Sequence, residues 1–399
     1  VSPHTSSSDA RAARWALFAL AIGAFGIGTT EFSPMGLLPE IAHGVGVSIP
    51  TAGMLISAYA FGVMAGAPFM TLLLSRYGKR PALMALMGIF TLGNLLSALA
   101  PGYVSLMLSR VLTSLSHGAF FGLGAVVAAS VVPPNRRASA VATMFMGLTI
   151  ANIGGVPAST WVGQHLGWRL AFVIAAGLGV LTIVALRLVL PVGEPGRKPD
   201  IAAELKVLTR PQVLTALATT VVGAGAMFTV YTYISPLLAE LSHASGNGVT
   251  LILVLVGVGF TLGNWLGGRL ADWSLIGATL VFFLALAALM LLMPFTIGHT
   301  WSAAVMFVLW GAAAFAIVPP VQTQVMQVAE QAPGLASSVN IGAFNLGNAL
   351  GAALGGGVLQ LGLGYAAVPV AGAVLALLGV GLVGLSHRHA RVAALAATR

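Results

Sequence analysis

Charge is scarce in this sequence. Of its 399 residues only 7% are Asp, Glu, Lys or Arg, while 58% are hydrophobic. A water-soluble domain carries about 25% charged residues, so this chain cannot build a water-facing surface. Cysteine is absent, which excludes disulfides and thiolate chemistry and leaves the redox compartment unreadable. No GxxxxGKS/T stretch is there to cradle phosphates, and HExxH and GxSxG are missing. Nucleotide-driven pumping, metalloprotease and esterase chemistry are thereby left without residues. No cluster has metal-ligand spacing. The expectation is a protein that is not an enzyme and holds no metal or cofactor.

What the chain has instead is twelve apolar segments, at about 15–38, 51–74, 82–100, 104–128, 138–162, 169–190, 212–236, 249–268, 275–296, 302–325, 335–358 and 366–386. They run to about 20–25 residues, the length of membrane-spanning helices rather than barrel strands. The expected class is an all-α integral membrane protein. The formal charge of +9 points to topology, not to nucleic acid. With the N-terminus inside and alternating spans, sixteen Lys and Arg lie in inside segments. Arg169 alone lies outside, and Arg110 falls within a span. That asymmetry predicts both termini in the cytoplasm.

The longest polar interruption, residues 191–211, divides the spans six and six. The domain reading is a cytoplasmic tail over 1–14, read as disordered, a six-helix half over 15–190, the linker 191–211, a second half over 212–386, and a cytoplasmic tail over 387–399. Repeated motifs support two related halves. GVMAG at 62–66 recurs as GFTLG at 259–263, offset by 197, and LLPE at 37–40 recurs as LLAE at 237–240, offset by 200. Gly62 and Gly66, like Gly259 and Gly263, have the spacing of close helix packing.

Four stretches carry a resemblance. GTTEFSPMGLLPEIA (28–42) resembles the acidic first-span signature of the major facilitator superfamily's twelve-span drug:proton antiporter branch. That branch includes sugar, arabinose, nucleoside and chloramphenicol efflux proteins. LSRYGKRP (74–81) is similar to the loop after span 2, with Ser75 where the superfamily usually has Asp. GGRLADW (267–273) is its second-half counterpart and keeps the acid as Asp272, followed by Trp273 where Arg is usual. LSRVLTSLSHGAFFG (108–122) resembles the span-4 motif with a membrane arginine, and GLTIANIGGVPASTWVGQHLGWRLAF (147–172) the span-5 antiporter motif. The resemblance implies two pseudo-symmetric six-helix halves around a central cavity. It implies a monomer in the bacterial inner membrane that moves a small molecule by alternating access, with the proton gradient as energy source. Conformational roles are implied for Arg76, Gly78, Lys79, Arg80, Gly155, Pro157, Gly268 and Asp272, with a bend at Pro157.

Of nine acids, Glu31 alone is read deep in a span. A charge at mid-membrane costs on the order of 2.5–3.5 kcal/mol, and such residues usually face a cavity. A carboxyl that is neutral when sealed and ionised when wetted suits a proton carrier. The alternatives are a static ion pair and a misplaced span edge. Arg110 is the candidate partner, because both residues sit roughly 10 Å below the outer edge at 1.5 Å per residue. His117 lies two turns beyond Arg110, with Thr113 and Ser114 between. It reads as a proton relay or a hydrogen-bonded structural residue. The expected substrate cavity comprises Glu31, Phe32, Arg110, Thr113, Ser114, His117 and Asn152 in the first half. Phe228, Tyr231, Tyr233, Trp310 and Asn345 line it from the second. The aromatic members read equally as an interfacial belt. The functional expectation is export of small amphipathic or polar compounds in exchange for protons. Uptake by proton symport and a non-transporting ligand sensor are the alternatives.

Overall fold

A computed structural model of the chain describes residues 7–47, 49–191 and 200–397. The regular structure among the described residues is helical. The first helices are α1 (Ser7–Gly36), α2 (Leu38–Val45), α3 (Ile49–Leu74), α4 (Lys79–Leu99), α5 (Tyr103–Ser130), α6 (Arg137–Ile150), α7 (Val156–Val162), α8 (Trp168–Val189) and α9 (Ile201–Leu208). They are followed by α10 (Pro211–Tyr231), α11 (Ile234–Ser242), α12 (Gly246–Trp273), α13 (Leu275–Thr296), α14 (Thr300–Ala316), α15 (Val318–Val328), α16 (Pro333–Gln360) and α17 (Ala367–Ala397). The chain divides into two compact units. One is Val1–Glu204 with Ser337–Gly342, the other Leu205–Ala336 with Ala343–Arg399. The division falls inside the 191–211 stretch, of which residues 192–199, including Glu194, Arg197 and Lys198, lie outside the described residues.

Ten helical stretches among the described residues are long and apolar enough to cross a membrane. One of them, Pro134–Val189, runs for 56 residues and contains two of the segments read from the sequence. Gly167 separates these at φ +99°, a conformation that only glycine adopts freely. α16 has full spanning length, 28 residues, but Asn340, Asn345 and Asn348 make it less apolar. The two spans within Pro134–Val189, the other nine stretches and α16 give the twelve-helix fold. Large apolar side chains point outward along these helices: Phe61 is 67% and Leu188 79% exposed. That surface fits acyl chains, not water.

The N-terminal tail differs from the disorder expected of it, although residues 1–6 lie outside the described residues. Residues 7–14 continue α1, and 387–397 continue α17, as regular helix. Their alanine- and arginine-rich sequences favour helix wherever nothing interrupts it.

Two devices hold the helices together. In the first unit, α4 and α8 cap each other. Arg80, at the start of α4, donates from Nη1 to the Leu190 carbonyl at the end of α8 (3.1 Å). Arg169, at the start of α8, donates from Nη2 to the Ala100 carbonyl at the end of α4 (3.0 Å). Each cation meets carbonyls that lack helical partners, at the negative end of a helix dipole. The second device is a pair of glycine seams. Gly62 lies against Ser114, and Gly66 against Leu115, on α5. In the second unit Gly259, Gly263 and Gly267 lie against the backbone of Val308, Ala312 and Ala316 on α14. The residues offset by 197 thus pack in the same manner in both units.

Candidate functional site

The first unit gathers polar and charged side chains from α1, α3 and α5, with Tyr59, Arg110 and His117 buried and Glu31 partly exposed (18%). Glu31 lies in the last turns of α1, five residues before Gly36. Its Oε2 is 3.9 Å from His117 Nε2 of α5. The other ring nitrogen, Nδ1, lies 3.2 Å from the hydroxyl of Tyr59 on α3. Arg110, only 1% exposed, places its guanidinium carbon 4.3 Å from the centre of the Tyr59 ring. Its Nη1 donates to the Thr30 carbonyl at 3.2 Å. Phe172 of α8 flanks it at 5.8 Å. Nε and Nη2 of Arg110 have no protein partner.

The expected Glu31–Arg110 pairing is not formed: no ion pair within 4.0 Å joins them. Side-chain direction explains why. Cα–Cβ bonds tilt toward a helix's N-terminus, and α1 and α5, first and fourth of the alternating spans, run in opposite senses. Glu31 therefore reaches toward His117, while the Arg110 guanidinium is taken up by the Thr30 carbonyl and the Tyr59 ring. Matching depth along the membrane normal had made Arg110 the partner. The tilt makes it His117.

The remaining first-half residues distribute as follows. Thr113 bonds the Ser109 carbonyl (2.8 Å) and packs on Gly93 of α4. Ser114 bonds the Val111 carbonyl (2.6 Å) and packs on Gly62 of α3. Both are fully buried, so here they serve helix contacts. Phe32 is half-buried. Asn152 donates to the Leu148 carbonyl (3.0 Å) within a widened, π-helical turn, Ala151–Gly155. Pro157 follows in the first turn of α7. Its ring cannot share space with the carbonyl four residues back, and the wider turn relieves that clash. Gly155 lets α1 approach at Thr29. Arg76 stacks on Tyr77 at 5.0 Å, Gly78 is the N-cap of α4 and Lys79 its first residue. The Ser75 hydroxyl bonds the Leu72 carbonyl (2.6 Å), so it closes its own helix end.

The second unit gathers rings rather than charges. Tyr231 stacks on Trp310, centroids 6.4 Å apart, and lies 5.9 Å from Phe228. Phe260 touches Tyr231 and Trp310 and lies tilted against Phe315, centroids 4.3 Å apart. Trp310 is fully buried, which makes it core rather than interfacial belt. Tyr233 stands apart: its hydroxyl donates to the Ala352 carbonyl of α16 (2.9 Å). Asn345 is half-buried on α16, next to Phe344, which pairs with Phe228. Gly268 is buried on α12, and Asp272 half-buried near its end. Tyr231 follows Glu31 by 200 residues, the offset of the first span, and Phe307, 5.8 Å from Trp310, follows Arg110 by 197, the offset of the glycine seams. The repeat thus sets aromatic rings where the first unit has its acid and its guanidinium.

Among the described residues no three of His, Asp and Glu gather where a metal could sit. The site offers one carboxyl, one imidazole, one phenol and one guanidinium, a set suited to moving or holding a proton.

Twelve spanning helices in two units, with a buried polar group in one, define a membrane transporter. The model of the Major Facilitator Superfamily matches residues 20–355, and the chain belongs to that family of transporters, which are not enzymes. It is 66% identical over 372 residues to the inner membrane transport protein YdhP of Escherichia coli K12, covering 93% of this chain and 96% of that one. It is 31% identical over 364 residues to a probable sugar efflux transporter of Helicobacter pylori, covering 90% and 93%. Among solved structures, the Escherichia coli fucose:proton symporter FucP has the same fold, with a TM-score of 0.75 at 14% identity, over 93% of this chain and 98% of that one.

Proposed function

We propose that this transporter exports small amphipathic or polar compounds in exchange for protons, by alternating access. It works as a monomer in the bacterial inner membrane with both termini in the cytoplasm, and needs no cofactor beyond the proton gradient. The observation that carries this reading is the Glu31–His117 approach at 3.9 Å, inside a buried group that also holds Arg110. A membrane carboxyl beside a titratable ring is a costly arrangement with an evident use. The efflux relative and the inner-membrane relative support direction and location.

In this mechanism Glu31 takes up a proton from the periplasmic side as cargo leaves. The neutral carboxyl then crosses the sealed state, and the proton is released inward. His117 receives or returns it, and Arg110 keeps the local potential positive, so that proton and cationic cargo do not share the site. Net inward movement of one charge draws about 2.3 kcal/mol per 100 mV from the membrane potential. Exchange for a monovalent cation would draw on the pH gradient alone.

The test uses inverted vesicles with an acid interior. A pentose, a nucleoside and chloramphenicol are added in turn, and proton release is followed with a pH-quenched dye. Release by wild type and none by Glu31→Gln is the expected result. Equal release by both would overturn the proton role of Glu31. Compound movement without proton release would overturn exchange, and binding without movement would favour a sensor.

A further inference from the structure

We propose that Tyr59 is the positioning residue of this site: it fixes His117 as an Nε2–H donor toward Glu31 and holds Arg110 away from the same carboxyl. The inference rests on the proton role proposed for Glu31. It goes further by assigning work to a residue that the sequence motifs pass over.

Tyr59 is 3% exposed and does two things at once. Its hydroxyl lies 3.2 Å from Nδ1 of His117. A phenol donates readily to an imidazole nitrogen, and a neutral imidazole that accepts at Nδ1 carries its proton on Nε2. Nε2 is the atom that faces Glu31. The face of the same ring lies under the Arg110 guanidinium at 4.3 Å, a cation–π arrangement that is strong when desolvated. With Nη1 held by the Thr30 carbonyl, this contact occupies the guanidinium without an ion pair to Glu31.

The consequence is chemical. A permanent cation paired with Glu31 would hold it as carboxylate, and a proton would seldom bind. A neutral Nε2–H donor holds the carboxylate weakly enough to exchange. The groups that face this centre are few. α1 brings Glu31, α3 brings Tyr59, and α5 brings His117, Arg110 and Phe121, whose ring lies 5.2 Å from the imidazole. α6 brings Phe145, stacked on Phe121, and α8 brings Phe172. α4 brings the neutral Asn94, 3.5 Å from the Thr30 hydroxyl.

The first measurement needs no substrate. Protein labelled with nitrogen-15 histidine is placed in lipid nanodiscs, and the His117 resonances are identified by their loss in His117→Gln. At neutral pH wild type is expected as the Nε2–H tautomer, and Tyr59→Phe as a mixture of both. A wild-type Nδ1–H tautomer, or identical spectra for wild type and Tyr59→Phe, would overturn the proposal. Vesicle proton release then gives a second, directional readout. Tyr59→Phe keeps the ring and loses the hydroxyl, so half-maximal release moves to alkaline pH by about one unit. Tyr59→Leu frees Arg110 to reach Glu31, so half-maximal release moves to acid pH. Shifts of the same sign in both variants would refute the two-part role. If wild type releases no protons with any of the three compounds, the exchange reading fails, while the tautomer still decides the role of Tyr59.

Discussion

Gly263→Ala tests the seam between α12 and α14 in the second unit. A Cβ built on Gly263 would lie 2.6 Å from the carbonyl carbon of Ala312 and 2.7 Å from its Cα. The Ala312 carbonyl oxygen lies closer still, and ordinary contact starts at 3.4 Å, so the helices must part by more than about 0.8 Å along that line. The obstacle is backbone, so no rotamer change can relieve it. Overpacking of this kind costs about 1–3 kcal/mol, and widening the seam also removes contacts at Gly259 and Gly267. Against this stands the helix propensity gained on replacing glycine, about 0.8–1 kcal/mol. The net expectation is a loss of up to about 2 kcal/mol, seen as a fall of up to about 2–3 °C in melting temperature for a chain of this length. Gly177→Ala is the control. It lies exposed on α8 with nothing within 4 Å of its built Cβ, so it keeps the propensity gain without the clash. Both are measured by thermal unfolding in detergent, against wild type. Gly263→Ala melting at or above Gly177→Ala would refute the claim that these glycines set the helix spacing.

Two further predictions concern other parts of the fold. Arg169→Ala removes the donor to the Ala100 carbonyl and should lower stability by about 1 kcal/mol; Arg169→Lys should recover only part of it, and equal melting of all three forms would dismiss the cap. Trp310→Ala empties a fully buried site at a cost of about 3–5 kcal/mol, with Trp310→Phe much milder, whereas comparable melting of both would show that the ring cluster contributes little packing.

The twelve spans, the repeat and the seam glycines could be read from the chain because each depends on periodicity and length, which are local. The Glu31–His117 approach could not. Counting residues from a span edge fixes depth but not the direction of the side chain, and in antiparallel helices the Cβ tilt displaces the two partners in opposite senses. The same information, applied with that tilt, would have favoured His117 over Arg110. Tyr59 was missed for another reason. In AYAFG it is one more ring in an apolar run, and nothing nearby in sequence marks its hydroxyl as engaged. Thr113 and Ser114 carried a polar signal that their packing spends elsewhere, because small hydroxyl residues serve helix contacts as readily as cavities.

The two units differ where the repeat would make them alike. Glu31 has Tyr231 as its counterpart at an offset of 200, and at the seams' offset of 197 Arg110 falls onto Phe307 and His117 onto Ala314. A buried ion group pays a desolvation cost wherever it is built, and one proton carrier needs one such group. In the second unit the same helices fill the same positions with rings that pack at 4.3 to 6.4 Å and carry no formal charge. Duplication of the scaffold therefore did not require duplication of the chemistry. The unit with the titratable side chains is the one where substitution should alter pH dependence; the unit with the rings is the one where it should alter stability and the choice of cargo.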